Sequence, residues 1–269
     1  MPDTKYDCAI VGNIPVKRFA DLILDIGTFL LASGAHSGRI ESNIRRMALT
    51  WGFDVSLQPT FKGLLVTVRS HCREDDTITM FKESPTHVVH FEVLTKVSHL
   101  TWKVYEENLP IEEAEKEFDK IKTMPHYNPW IVSIAVGLSC AGLCFLSMGD
   151  VLNGLIALLG AFLGSLFRYK IAALRYNQMI SISIAAFITT TITGFGTIYN
   201  IGDNPQSAMA TAVLYLIPGV PLINSVIDLI EGYLSSAVNR ALFAGFILLC
   251  IAAGMTLSIT LMGIDNFKL

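Results

Sequence analysis

Three polar residues interrupt an apolar stretch at helical spacing: Asn224, Asp228 and Glu231, four and three positions apart. On an α-helix they share one face. An amide and two carboxylates so placed can hold a cation or exchange a proton, and ionisable groups at a membrane boundary are candidates for ion coupling. Ordinary interfacial solvation is the plainer account. Arg240, further along the chain, is a cation able to pair with either acid. Just before the three stands Ile217-Pro218-Gly219-Val220-Pro221. Pro218 has no N–H for the carbonyl of Leu214, and Pro221 has none for that of Ile217. Gly219 adds backbone freedom. In hydrocarbon a break of this kind leaves polar groups unsatisfied, and it is tolerated where protein or a water-lined cavity surrounds it, as in the broken helices of transporters. A packing kink is the alternative.

A second polar group lies upstream, where Thr189, Thr190, Thr191 and Thr193 precede Gly194 and Gly196. Thr190 and Thr193 are candidates for a polar path through a helical bundle, although such hydroxyls also bond back onto their own helix. Gly160 and Gly164, with Ser165, form a small-xxx-small pattern that permits close helix approach. Cys140 and Cys144, one turn apart, read as small packing residues.

The third group is N-terminal: Gly34, His36, Arg39 and Glu41, at the start of a helix. Arg39 and Glu41 are two apart and do not face each other on a helix, so each is free to bond a neighbouring element. His71-Cys72, His87, His90 and His99 make no recognised metal spacing. There is no GxSxG, no GxxxxGK[ST] and no HExxH. No cofactor, metal or catalytic residue is expected, and the chain has no ATP motif of its own.

These groups sit in two unlike halves. Of 269 residues, 52% are hydrophobic and 16% charged, with mean hydropathy +0.50. Residues 1–128 hold 15 Lys+Arg, 18 Asp+Glu and all six His, whereas 129–269 hold 5 basic and 5 acidic residues. Two solvents are implied. The net charge of −3 and the lack of a basic stripe exclude nucleic acid as a partner. No signal peptide is read at the N-terminus, and the scattered cysteines suggest no disulfide framework.

Uncharged stretches at 130–148, 151–167, 176–202, 204–227 and 241–264 approach or exceed the roughly 17–25 residues that cross a bilayer as a helix. Polar breaks fall at 149–150, 168–175, 203 and 228–240. Arg168, Lys170 and Arg175 mark the second connection as cytoplasmic. Counting outward from it puts the N-terminal domain inside and the C-terminus outside. In residues 1–125, helical spacing is read over 16–33, 37–52 and 111–121, and β-rich segments over 53–57, 64–69 and 88–93. The expected fold is an α+β cytoplasmic domain (1–125) followed by an α-helical transmembrane bundle of about five helices (126–269; about 130–148, 151–167, 178–199, 206–227 and 241–263).

Two segments carry a resemblance that extends from about Val16 to about Met262. Ser33-Gly34-Ala35-His36-Ser37-Gly38-Arg39-Ile40-Glu41, and Ile217-Pro218-Gly219-Val220-Pro221-Leu222-Ile223-Asn224 continuing through Asp228 and Gly232, resemble the cytoplasmic signature and the Pro-Gly membrane motif of the threonine/serine exporter family. The resemblance implies secondary export of a small hydrophilic solute, threonine or serine in some members and a dicarboxylate such as succinate in others. The chain lacks the second membrane block of fused members. It therefore looks like the split half of such an exporter, completed by a second small membrane subunit, with self-association left open. A multi-pass protein of the cell (inner or plasma) membrane is expected. The competing readings are a membrane-anchored hydrolase with its site in residues 30–95, and a regulatory or assembly subunit.

Overall fold

In the computed structural model, the described residues are 14–60, 62–71, 76–85, 89–125, 127–174 and 176–264. Cys8, Cys72, His87, Val88 and Arg175 lie outside them. The chain is mostly helical with one small sheet, and it divides into two compact units. One comprises the described residues of Met1–Pro125 together with Val220–Leu242; the other comprises those of His126–Gly219 and Phe243–Leu269.

The first unit opens with α1 (Val16–Ala32) and α2 (Ser37–Thr50). Next come β1 (Phe53–Pro59), β2 (Gly63–Ser70) and β3 (Thr77–Glu83), an antiparallel meander in the order β1-β2-β3. Val55 pairs with Val68, and Val66 with Met80. Alternation on β1 and β2 turns Val55, Leu64, Val66 and Val68 inward onto Phe19, Ile23, Ile26 and Leu30 of α1. The rings of Phe19 and Phe53 stack 4.3 Å apart.

Two further helices, α3 (Phe91–Glu107) and α4 (Ile111–Lys122), complete the N-terminal part of this core. Helix α3 corrects the reading of 88–93 as a β-rich segment. From Phe91 the apolar period is three to four, with Val93, Leu94, Val97, Leu100 and Val104 buried, and His90 Nδ1 accepts the N–H of Val93 as a helix cap. In α4, Glu112 and Glu113 in the first turn and Lys120 and Lys122 in the last complement the helix dipole.

In the second unit, Asn128, Asp150 and Asn177 cap α5 (Pro129–Leu146), α6 (Val151–Ala173) and α7 (Gln178–Ile198). Arg168 and Lys170 thus lie on the last turns of α6 and not in a loop. The 204–227 stretch is not one helix. It runs as α8 (Pro205–Ala212), a 3-10 turn (Leu214–Leu216), extended backbone at Ile217, and then α9 (Gly219–Ile230). The last helix, α10 (Leu234–Met262), begins well before 241, so the break read at 228–240 shrinks to the residues between Ile230 and Leu234.

Among the described residues, four helices (α5, α6, α7 and α10) suit a membrane span by length and composition, and a fifth if the bent pair counts as one. Leu138, Leu159, Leu249 and Leu261 stand exposed on these helices, as lipid-facing residues do. Helices α6 and α7 meet through small residues. A Cβ on Gly164 would collide with the Thr189 hydroxyl, and one on Gly160 would press into Thr193 at 2.8 Å. Ser165 and Ser133 share a hydrogen bond of 3.1 Å. Cys140 and Cys144 are buried free thiols.

Candidate functional site

The N–H groups of the first turn of any α-helix have no intrahelical acceptor and carry partial positive charge. Those of α2 are met by side chains from α9 and from the residue before the helix. Ser37 N–H donates to Asp228 Oδ1 at 2.7 Å, and Gly38 N–H donates to Glu231 Oε2 at 3.1 Å. Arg39 N–H donates to Nδ1 of the cap residue His36 at 3.3 Å. Asn224 Nδ2 donates to the carbonyl of Gly34 at 2.8 Å. Asn224 and Asp228 on α9, and Glu231 just past its end, therefore hold the loop at Gly34 and the first turn of α2. Gly34 has φ +94°, a conformation that favours glycine, and it turns the chain from α1 into that loop.

Arg240 on α10 closes the group. Its Nη2 donates to the carbonyl of Ala35 at 2.9 Å, and its Nε lies 3.0 Å from Asp228 Oδ2. Asp228 Oδ2 has no hydrogen bond of good angle, so its contact with Arg240 is an ion pair. Asp228 is 0% exposed, whereas His36 and Glu231 side chains are 25% and 36% exposed. Glu41 bonds Arg45 at 2.5 Å and accepts the hydroxyl of Tyr233. Burial, and then the Glu41 carboxylate, push the Tyr233 phenol above its ordinary range, so it stays a donor. Ser236 Oγ donates to the carbonyl of Pro59 at 3.0 Å, tying the start of α10 to the end of β1.

Gly34, His36, Glu41, Asn224, Asp228, Glu231 and Arg240 are thus brought together. Arg39 joins that group only through its backbone N–H. Its guanidinium donates to Leu94 O and Ser98 Oγ on α3, both at 3.2 Å. Pro221 sits in the first turn of α9. At the break, the two carbonyls denied a proline donor find others: Leu214 O accepts from Ile217 N–H at 3.1 Å, and Ile217 O from Gly219 N–H at 2.8 Å.

Thr190 and Thr193 are buried in the second unit. The Thr193 hydroxyl bonds back to Thr189 O at 3.0 Å, and Thr190 Oγ1 has no partner among the described residues. Sequence reasoning placed Ser37 and Gly38 inside the resembling segment but missed their role, because it is played by backbone N–H, which no side chain announces. It also missed Tyr233 and Ser236. The one available cue was a glycine at the second position of a helix.

His36, Asp228 and Glu231 each present an atom within 4.8 Å of the others, a spacing a metal ion can use. Asp228 Oδ1, Glu231 Oε2 and His36 Nδ1 already accept from N–H groups of α2, and the guanidinium of Arg240 faces Asp228. Elsewhere in the first unit, a cleft of about 540 Å³ is lined by Arg18, Asp25, Glu115 and Lys122, among others. Its charges are largely paired, Arg18 with Glu112 and Glu115 and Lys122 with Asp25, and no nucleophile–base pair lines it.

A sequence model described as "Putative threonine/serine exporter" matches residues 21–262. Over 247 residues the chain is 27% identical to the "Probable succinate transporter subunit YjjP" of Escherichia coli, covering 91% of this chain and 95% of that protein. It is 20% identical over 263 residues to the "Probable threonine/serine exporter" of Mycobacterium tuberculosis, covering 95% of this chain but 48% of that protein. No solved structure matches the chain.

Proposed function

Because the chain belongs to the threonine/serine exporter family, and is thereby a multi-pass membrane transporter and not an enzyme, we propose that it is one subunit of a two-chain secondary exporter. Its solute is small, hydrophilic and carboxylate-bearing, either an amino acid such as threonine or serine or a dicarboxylate such as succinate. The observation that carries this reading is the broken fourth stretch, whose second half, α9 with Glu231 just past its end, holds Gly34 and the first turn of α2 through Asn224, Asp228 and Glu231. A helix interrupted at a proline and held by a protonatable side chain is suited to switching between two arrangements.

In this reading the N-terminal α+β domain faces the cytoplasm, and the helical bundle lies in the inner membrane. Thr190 and Thr193 line the path, Pro218, Gly219 and Pro221 form its hinge, and the α9 acids with Arg240 report on the loop. The second subunit is a separate small membrane protein. Two features support it: a relative covered almost end to end bears the name "subunit", and the exporter from M. tuberculosis is about twice as long as the region matched.

Efflux from solute-loaded cells, with this chain alone and with a co-expressed partner, tests the proposal. Export is expected only with both chains, and full export by the single chain in a partner-free host overturns the two-chain form. Single cysteines at positions 170 and 203 test the orientation. An impermeant reagent outside intact cells should label 203 and spare 170.

A further inference from the structure

In the second unit, Asn153 Nδ2, Asn153 Oδ1, Thr190 Oγ1 and Thr197 Oγ1 are shut off from water and have no hydrogen-bond partner among the described residues. A buried polar atom without a partner costs free energy, the more so in a membrane, and each such atom needs a reason. Asn153 is the extreme case. Its amide can donate two bonds and accept two, it is 0% exposed, and it makes none. Its main chain is satisfied, because the N–H donates to Asp150 Oδ1 at 2.9 Å.

Helical geometry sets these residues on two stripes. Asn153, Gly160 and Gly164 recur at seven and four on α6, the side on which both glycines meet Thr189 and Thr193 of α7. Thr190, Thr193 and Thr197 recur at three and four on α7. The Asn153 amide lies against the α7–α8 connection. A Cβ on Gly202 would stand 2.7 Å from Nδ2 and 2.8 Å from Oδ1, and Gly202 has φ +82°, so a glycine is required there twice over. On either side of it are Asn200 and Asp203, which with Thr197, Asn204, Gln206 and Met262, among others, line a cleft of about 620 Å³. The backbone that walls this cleft is therefore also the cover of the amide.

We infer that Asn153, with Thr197 beside the cleft, forms a binding site for the hydroxyl group of a small solute passing through the second unit. A hydroxyl both donates and accepts, so it can meet either end of the amide. An ionised carboxylate only accepts, and it leaves Oδ1 unpaired. The passage of a solute rests on the exporter reading, whereas the site itself rests on the orphaned amide and the cleft behind whose wall it lies.

Melting of the full chain, purified in detergent, gives the first readout. L-threonine and L-valine share a shape and differ by the hydroxyl, so threonine should raise the melting temperature and valine at equal concentration should not. Asn153→Leu should abolish the threonine effect. Without solute it should melt about 2–4 °C higher than wild type, because an unpaired amide has gone. Threonine efflux with a co-expressed partner should fall at least about tenfold in the same variant. Equal protection by threonine and valine, or threonine protection that survives Asn153→Leu, overturns the inference. So does a solute-free variant that melts below wild type, or one that exports threonine as wild type does. A wild-type pair that exports nothing removes the exporter reading instead, and threonine-specific protection lost in Asn153→Leu then keeps the site.

Discussion

Glu231 Oε2 accepts the N–H of Gly38 at 3.1 Å, and it does so across the space that the Cβ of any other residue would fill. The glycine is there for the carboxylate's approach and not for its own backbone angles.

Gly38→Ala should therefore push the Glu231 carboxylate off the Gly38 N–H and cost about 1 kcal/mol, the usual worth of a hydrogen bond. Gly219→Ala is the control, since a Cβ there meets nothing within 4 Å. Denaturant or thermal unfolding of the purified chain should separate the two clearly. Equal stability of both variants would show that Glu231 moves aside without penalty.

Breaking a buried ion pair leaves one charge uncompensated, at about 3–5 kcal/mol. Asp228→Asn and Arg240→Met should each destabilise the chain by an amount of that order, because Asp228 is 0% and Arg240 11% exposed. The double substitution should cost at least about 1 kcal/mol less than the two singles added together. Strict additivity would mean that the two side chains act independently.

In the second unit, Gly164→Val should disrupt the α6–α7 contact, where Thr189 and Tyr215 already meet at 3.2 Å beside the glycine. Overpacking there should cost about 1–3 kcal/mol. Gly142→Ala, with nothing within 4 Å of its Cβ, should be silent. Melting of both variants in detergent is the measurement, and a silent Gly164→Val would argue that the two helices separate at little cost.

Acid should weaken the first unit partly through Asp25. Partial burial opposes its ionisation, but hydrogen bonds from Lys122 and Lys82 outweigh that and hold its carboxyl below the usual range. A carboxyl lower in the folded than in the unfolded state stabilises the fold above its unfolded pKa, about 3.9, and that contribution is lost as pH falls through the folded value. The site is partly open to water, so the gain is on the order of 1 kcal/mol or less. Asp25→Asn should lower stability by that amount at neutral pH and converge with wild type in strong acid. A gap independent of pH would point to packing instead.

Much of this protein was legible from one dimension. The charge asymmetry, the uncharged lengths of helix and the proline break are local properties, and α5, α6 and α7 follow from them. The spacing of Asn224, Asp228 and Glu231 placed them on one face because helical geometry is the same everywhere. The small residues at Gly160 and Gly164 likewise announced a close approach, though not that Thr189 and Thr193 would fill it.

What that face touches is a different matter. Asp228 reaches the Ser37 N–H across 191 positions of chain, and Arg240 reaches the Ala35 carbonyl across 205. Both motif loop partners are backbone groups, present at almost every residue and therefore invisible as a pattern. The strand read over 88–93 failed for a related reason: a few alternating residues fit either period until the helix beyond Phe91 is packed. Only the folded chain decides which N–H groups are left without a helix acceptor, and hence where buried and half-exposed carboxylates come to rest.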